Sequence, residues 1–443
     1  MARALKDSGI PWIGEIPEGW DIVRLKSLFS FGKGLPITKE NLIENGIPVI
    51  SYGQVHAKNN SGVRIQDDLI RFVAPSYINT NPESLVHIGD FIFADTSEDV
   101  DGCGNCVYVD KDMTLFAGYH TLTLISNTRT DNKYIAYLIK TDPWRSQIRA
   151  NVSGVKVYSI SRKILSDAVV ICPPTDKQKQ IVSFLDAECS RIDAVIEKTR
   201  ASIEEYKKLK QAVITEAVTK GIRPGRKMKD SGIEWIGEIP EEWEVLRKIS
   251  YASNKSISYG IVKLFEPDDT DGVKVLRCSD IREGKIVTEN IRTVTKEVSN
   301  EYGRTILNGG EVVINVRGTL GGCAVVPPEM KGYNIAREVA MVSLGNTIHN
   351  RYLMYYFLSA AFMSYENRFL AGSVYVGLNI ELLSACPIPF PQYNEQEEIA
   401  NYLDARSQEY DALIQAKERV VDELEKYKKS VIYEYVTGKR EVL

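Results

Sequence analysis

The chain has 443 residues, 44% of them hydrophobic and 26% charged, with a formal net charge of −4. That length suggests two to four domains, and the ordinary hydrophobic content lets each bury its own core. No run of eighteen apolar residues occurs, and MARALKDSG lacks an apolar signal-peptide stretch, so neither a membrane protein nor a secreted one is expected. Seven scattered cysteines, an odd number, read as reduced thiols in the cytoplasm. A charge of −4 neither demands nor forbids nucleic acid, but it confines any DNA-binding surface to a local patch.

In chain order the first distinctive element is KDSGIPWIGEIPEGW, residues 6–20. It returns as KDSGIEWIGEIPEEW at residues 229–243, changed only at Pro11/Glu234 and Gly19/Glu242. A fifteen-residue sentence written twice marks a tandem duplication, and the repeat is too long and too few in copies for a solenoid. Each opener, rich in Gly and Pro and carrying Trp12/Trp20 or Trp235/Trp243, predicts an extended strap pinned by indoles. The body after each opener reads as a mixed α/β fold (α+β) with short strands. GIPVISYGQV (Gly46–Val55) corresponds to GVKVLRCSDI (Gly272–Ile281), and GDFIFA (Gly89–Ala94) to GEVVINV (Gly310–Val316). The bodies have drifted apart in sequence while the segments around them match.

The second matched segment begins with DKQKQIVSFLDAECSRIDAVI at Asp176 and NEQEEIANYLDARSQEYDALI at Asn394, 218 positions apart. A 3-4 spacing runs through Cys189, Ile192, Ile196, Ile203, Val213 and Ala217, and through Ser407, Tyr410, Ile414, Val421, Leu424, Val431 and Tyr435. Thr199, Lys210, Lys417 and Lys428 dilute the seam, so neither helix is a strong zipper by itself. About 35 residues make a rod of roughly 50 Å, longer than a small domain, so each helix needs a partner. Its own copy is the obvious one, against the plainer reading of a helix docked on its own domain. Gly221, Pro224 and Gly225 end the first helix before the second opener. An antiparallel coiled coil with an approximate two-fold axis is expected. The domain boundaries follow: residues 1–175 form the first globular domain and 176–221 the first long helix, then 222–393 the second domain and 394–443 the second helix.

Motifs for catalysis are missing. There is no GxxxxGK[ST], HExxH or GxSxG, and four histidines supply no defensible triad. FGKG (Phe31–Gly34) faintly resembles a methyl-donor glycine loop but is expected to be a turn. The Asn/Asp-Pro-Pro-aromatic tetrad of amino-methyltransferases is absent. CGNC (Cys103–Cys106) is a single CxxC without a second pair, a poor zinc site. SEDVDG (Ser97–Gly102) starts like a calcium loop, but Tyr108 stands where the closing carboxylate belongs. No metal and no cofactor is therefore expected.

What remains is polar, turn-rich sequence with cations and hydroxyls. Domain one offers Lys33 and Lys39 in SFGKGLPITK, Tyr52, Gln54 and Lys58 in SYGQVHAKNN, and Lys156 and Tyr158 in SGVKVYS. Domain two offers Arg277, Ser279 and Arg282 in LRCSDIREGK, Arg317 and Thr319 in NVRGTLGG, and Ser373 and Tyr375 in AGSVYVGLN. Arg forks onto guanine, Gln onto adenine, and Lys, Ser, Thr and backbone N–H groups onto phosphate. Any one such loop read alone is a solvated turn; recurrence at matched places raises the group.

WIGEIPEGW, RGTLG (Arg317–Gly321) and GSVYVGLNIELLSACPIPFPQYNEQEEIANYLD (Gly372–Asp404) resemble the specificity subunit of type I restriction–modification systems. The resemblance covers nearly the whole chain. It implies two target-recognition domains, each reading one half of a bipartite site in double-stranded DNA, with the long helices as a ruler that also binds two methyltransferase subunits. Restriction subunits are a further, optional partner. The resemblance implies no chemistry of the chain's own, since methyl transfer would use S-adenosylmethionine on the partner. Domain one departs from the pattern, with SEDVDGCGNC in place of RGTLGG and KVYS in place of SVYVG. The alternatives are a self-sufficient DNA adenine methyltransferase and a coiled-coil scaffold that binds protein only.

Overall fold

The structure, a computed structural model, describes residues 4–128, 132–262, 272–370 and 377–442. The chain divides into two compact units. One holds residues 1–198 and 420–443, the other 199–419, so each unit combines a globular body with a segment of both long helices.

In the first unit the opener is a hairpin rather than a plain strap, with Leu5–Asp7 antiparallel to Glu15–Pro17. Trp20 is buried at its end, as the indole pattern predicts. The body contains two four-stranded sheets. One orders Cys106–Tyr108, Phe91–Ala94, Thr121–Ser126 and Phe29–Lys33, all antiparallel. The run FIFA has no exposed residue because this strand is covered on both faces, so it shows no alternation. The other sheet orders Arg71–Val73, Ile47–Ile50, Leu115–Ala117 and Leu85–Val86, with a parallel pairing of Val49 to Phe116. The strand expected over residues 46–55 stops at Ile50. Ser51 then opens a helical turn, Tyr52–Val55, whose Gln54 side chain accepts the Ser51 N–H at 3.1 Å.

The second unit repeats this plan. Ser258–Tyr259, Val339–Val342, Val312–Asn315 and Cys323–Val325 form an antiparallel sheet. Arg292–Val294, Val273–Leu276 and Asn334–Ile335 form the second, again with one parallel pairing, Val275 to Asn334. The strand order of the first sheet survives the divergence, whereas among the described residues the second has three strands here, without a counterpart of Leu85–Val86. Here too the strand expected through Ile281 ends early, at Leu276, and a 3-10 turn follows over Cys278–Asp280.

The long helices run Thr175–Lys220 and Tyr393–Val436. The first begins just past Pro173–Pro174, which cannot lie in a helix interior, and ends at Gly221 with φ +77°. Within each unit the two helix segments run antiparallel. In the first unit Lys428 Nζ meets Asp193 Oδ1 at 2.5 Å, and Phe184 stacks on Tyr435. In the second, Lys210 Nζ meets Asp411 Oδ1 at 2.6 Å. It is the same bridge with the roles of the helices exchanged. Lys417 lies over the Tyr206 ring at 5.5 Å. The seam lysines, which dilute hydrophobicity in the sequence, are therefore partnered. Cys189, Ile192, Ile196, Ile203 and Ala217 are buried as the spacing predicts.

Each body is fastened to its helices by a matched aspartate. Asp186 accepts from Lys133 Nζ and Tyr137 Oη at 2.7 Å each, and Asp404 accepts from Arg351 and from Tyr355 Oη. Burial pushes the Asp186 carboxyl up, but the Lys133 and Tyr137 hydrogen bonds and the Arg64 charge outweigh it and hold it below the usual range. Tyr134 Oη donates to the Val436 carbonyl, and Tyr352 Oη to that of Val218, closing the last turn of a long helix in each unit. The openers work at the same ends. Lys439 Nζ donates to Glu15 O at 2.8 Å, and Trp243 Nε1 donates to Glu395 Oε2 at 3.0 Å. Both copies of the repeated sentence thus make contact near the ends of the long helices.

Candidate nucleic-acid interface

In the second unit the candidate residues gather at one end of the antiparallel sheet. The strand Val312–Asn315 runs out into Arg317, and the turn Cys278–Asp280 comes alongside. Asn315, fully buried, ties them together: its Nδ2 donates to the carbonyls of Cys278 and Thr319 at 3.0 Å each, with Ile281 O at 3.4 Å. A Cβ on Gly322 would stand 2.3 Å from that Nδ2, so only glycine lets the loop close over it. Ser279, Arg282, Arg317 and Thr319 are all exposed on the resulting surface. The Arg317 guanidinium lies 5.0 Å from the Tyr259 ring centre, and Tyr259 is held in turn by the Ile380 N–H donating to its Oη at 3.1 Å. A cation backed by an aromatic face is pre-aimed rather than free.

Arg277 stands apart. Its Nε and Nη2 close on both oxygens of Asp280 at 3.0 and 2.9 Å, and Nη2 also donates to Asn290 O. The fork that would grip guanine is thereby occupied within the chain. Hydrogen bonding to Asp280 raises its pKa further, and Ser279 Oγ donates to the same carboxylate. Ser373 and Tyr375 lie outside the described residues.

The first unit builds the same corner from other residues. Thr96 pairs with Ser159 there, as Arg317 pairs with Gly377 in the second unit. The ladder thus sets Thr96, not Ser97, opposite Arg317 in the comparison of the two copies. Lys33 pairs with Leu122 at the rung that Tyr259 holds against Ala340. Tyr158 sits opposite Ser97 in the ladder, and Lys156 is exposed just before it. His56 replaces Asn315 as the tie: one ring nitrogen lies 2.9 Å from Thr96 O, the other 3.1 Å from Asn105 Nδ2. Tyr52 stacks on His56, with ring centres 4.7 Å apart. Burial, then the carboxylates of Glu98, Asp99 and Asp95, push the Tyr52 hydroxyl up, so three carboxylates lie near this corner. Lys58 is exposed beyond it, whereas Gln54 spends its carbonyl on the Ser51 cap. Lys39 lies exposed on a separate 3-10 turn, Lys39–Asn41.

Residues 17–205 and 244–425 each match the model of the type I restriction modification DNA specificity domain. The chain belongs to that family. It carries the DNA specificity domain twice, in tandem, as the duplicated sheets and helices require. The family's type I restriction enzyme MjaVIII specificity subunit, from Methanocaldococcus jannaschii, is 24% identical over 436 residues, covering 96% of this chain and 93% of that protein. The EcoBI specificity subunit of Escherichia coli is 28% identical over 277 residues, 58% of this chain and 56% of that one. In fold, the chain resembles one from a solved structure on complex assembly and conformational transition of the type I R-M system. The TM-score is 0.68 at 18% identity, and the match covers 97% of this chain and 99% of that chain.

Several residues that shape these corners were not singled out by sequence reasoning, notably Asn315, Tyr259, His56 and Asn105. Asn315 and His56 lie inside the stretches read as loops, but no local signal says that one polar side chain will reach across to another loop. The remaining motifs resolve as structure. Cys103 and Cys106 of CGNC are buried, and burial pushes the Cys106 thiol up to about 12. Among the described residues no group of three His, Cys, Asp or Glu could hold a metal. Gly34 of FGKG packs so closely on the backbone that a Cβ would sit 1.9 Å from Gly118 O. Among the described residues no helix is long and apolar enough to cross a membrane.

Proposed function

We propose that the chain is the non-catalytic, sequence-reading subunit of a type I restriction–modification complex, each domain reading one half of a bipartite site in double-stranded DNA. Partner methyltransferase subunits, two per chain, supply S-adenosylmethionine chemistry and dock on the matched helices. The observation that carries this reading is the contrast between a duplicated scaffold and unlike loops at the same corner of each. Identical frames suit identical partners, while Arg317-Gly-Thr and Thr96-Ser-Glu suit different bases. Arg317 is the first candidate for a base edge, with Ser279, Arg282 and Thr319 around it. In the first domain Lys33, Tyr52, Lys58, Lys156 and Tyr158 surround the equivalent corner. Ser373 and Tyr375 stay candidates on sequence alone, while Arg277 is reassigned to holding the 277–290 loop.

The test replaces residues 245–390 with the corresponding body of another family member and selects bound duplexes from a randomised pool, using the complex with its methyltransferase. Only one half of the selected motif should change; a change in both halves would sink the modular reading. The ruler role of the helices is tested by inserting four residues near Thr199. One added turn of about 5.4 Å should lengthen the preferred spacer by between one and two base pairs with both half-sites intact. A folded variant that keeps the original spacer excludes this helix pair as the ruler.

A further inference from the structure

The first unit contains a cleft of about 530 Å³ beside its long-helix segments. Lys58, Lys140, Arg145 and Lys429 line it, with Thr141 and Tyr433. Its one acidic lining residue, Asp142, accepts from Arg149 Nη2 at 3.2 Å and is already engaged. Among the described residues no salt bridge neutralises any of the four cations, and Arg145 Nε is buried without a hydrogen-bond partner. Burial, together with the nearby Lys428 and Arg145 charges, pulls Lys140 down to about 8 despite Cys189 and Asp193 close by. Burial lowers Arg145 as well. Cations gathered with so little compensation cost stability unless an anion arrives. The helix Asp142–Arg149 also begins at this cleft, adding the positive end of its dipole.

The second unit has a cleft at the matched place, and it is built differently. Its Lys210–Asp411 pair has a counterpart beside the first cleft, Lys428–Asp193, but here Lys207 is also paired, with Glu204 at 2.9 Å, and Glu283 stands beside Lys285. Leu358 stands where Lys140 stands in the first copy, and Gln211 where Lys429 stands. A merely structural cleft would have no reason to hold the unpaired Lys140 and Lys429 where the other copy keeps Leu358 and Gln211.

We propose that the cleft formed by Lys58, Lys140, Arg145 and Lys429 is a phosphate-binding site peculiar to the first copy. The phosphate comes either from the backbone of the bound duplex or from a free phosphate compound. Only the duplex source rests on the DNA-reading function proposed above.

The test uses the full chain as wild type, the double variant Lys140→Gln with Arg145→Gln, and Lys429→Gln, which lies on an exposed helix face and leaves the core untouched. Inorganic phosphate and pyrophosphate are titrated calorimetrically, and random and cognate duplexes are bound over a range of salt. A free-phosphate site shows wild-type binding of the small anions that falls at least tenfold in the variants, with the DNA salt dependence unchanged. A backbone site shows no small-anion binding, but the slope of log affinity against log salt falls by about one for random and cognate duplex alike, with base preference intact. If folded variants leave both measurements unchanged, the proposal is wrong. It is equally overturned if they weaken only assembly with the methyltransferase, since the cleft would then fit an acidic protein surface. Should sequence-specific DNA binding itself prove absent, the small-anion arm still decides.

Discussion

The corner at Arg317 and the corner at Thr96 follow corresponding strands, Val312–Asn315 and Phe91–Ala94, yet one carries an arginine where the other is followed by two carboxylates. After Arg317 come Gly318 and Thr319; after Thr96 come Ser97, Glu98 and Asp99. One corner is tied by a buried asparagine that reaches three carbonyls, the other by a histidine ring between two loops. The difference teaches that the scaffold does not prescribe the loop. The ladder ends fix where a loop begins, and a single cross-loop tie fixes its shape. The exposed side chains are then free to differ.

The largest expected effect lies in the helix Ala360–Leu370. Glu366 is buried where the first copy has the core residue Ile148, and one of its oxygens has no partner among the described residues. Burial pushes its carboxyl up to about 7 from the ordinary 4.5. Between those values the folded state holds a proton that the unfolded chain has lost, so stability falls as pH rises from 4.5 to 7 and stays low above. The loss is up to roughly 3 kcal/mol. Glu366→Gln should remove this slope and raise the unfolding midpoint at pH 8 but not at pH 4. Thermal melts across pH would check it, and an identical pH profile in the variant would show that the carboxyl is solvated.

Next comes the tie itself. Asn315→Ala strands three carbonyls and opens a small void, at a cost of about 2–3 kcal/mol. His56→Ala, at a half-buried site with two partners, should cost closer to 1 kcal/mol. Chemical denaturation measures both. Selection from a randomised pool should show blurred preference in one half-site for each variant. Equal costs would mean that the two ties are equivalent despite their different burial.

Arg317→Ala should cost roughly 1–3 kcal/mol on the cognate duplex and relax a single position of one half-site. Arg317→Lys keeps the charge but loses the fork, so it should retain salt dependence while losing base preference. Uniform weakening across all base variants, with a flatter salt slope, would instead make Arg317 a phosphate contact.

Much of this was legible before the structure. The duplication, the two long helices and the buried seam follow from repeats and spacing, because helical periodicity is a local property. The strand order common to both bodies was not legible, since matched sheets can be built from unmatched residues as long as burial is kept. The partner of Arg277 was not legible either. A guanidinium in a polar turn looks ready for guanine until Asp280, three residues on, is seen to close both ends of its fork. Tyr259 is the converse case, because its role depends on Arg317, 58 positions away in the chain, ending up over its ring.

The smallest expected effect separates the two corners by charge alone. Glu98 and Asp99 are exposed, and Asp99 Oδ1 accepts from the Gly102 N–H at 2.6 Å. Asn at position 99 preserves that acceptor, so Glu98→Gln with Asp99→Asn changes charge and little else. If the Thr96 corner faces the duplex, two carboxylates near the phosphates repel it over about a Debye length, roughly 10 Å at 0.1 M salt. Removing them should strengthen binding to random duplex a few-fold at low salt, and the gain should vanish at high salt. The same double substitution also tests readout, because a carboxylate can accept from the cytosine amino group. In that event the cognate site gains less than random duplex, and one position of the half-site relaxes. Affinity unchanged at every salt concentration would place this loop away from the DNA and break the comparison with Arg317.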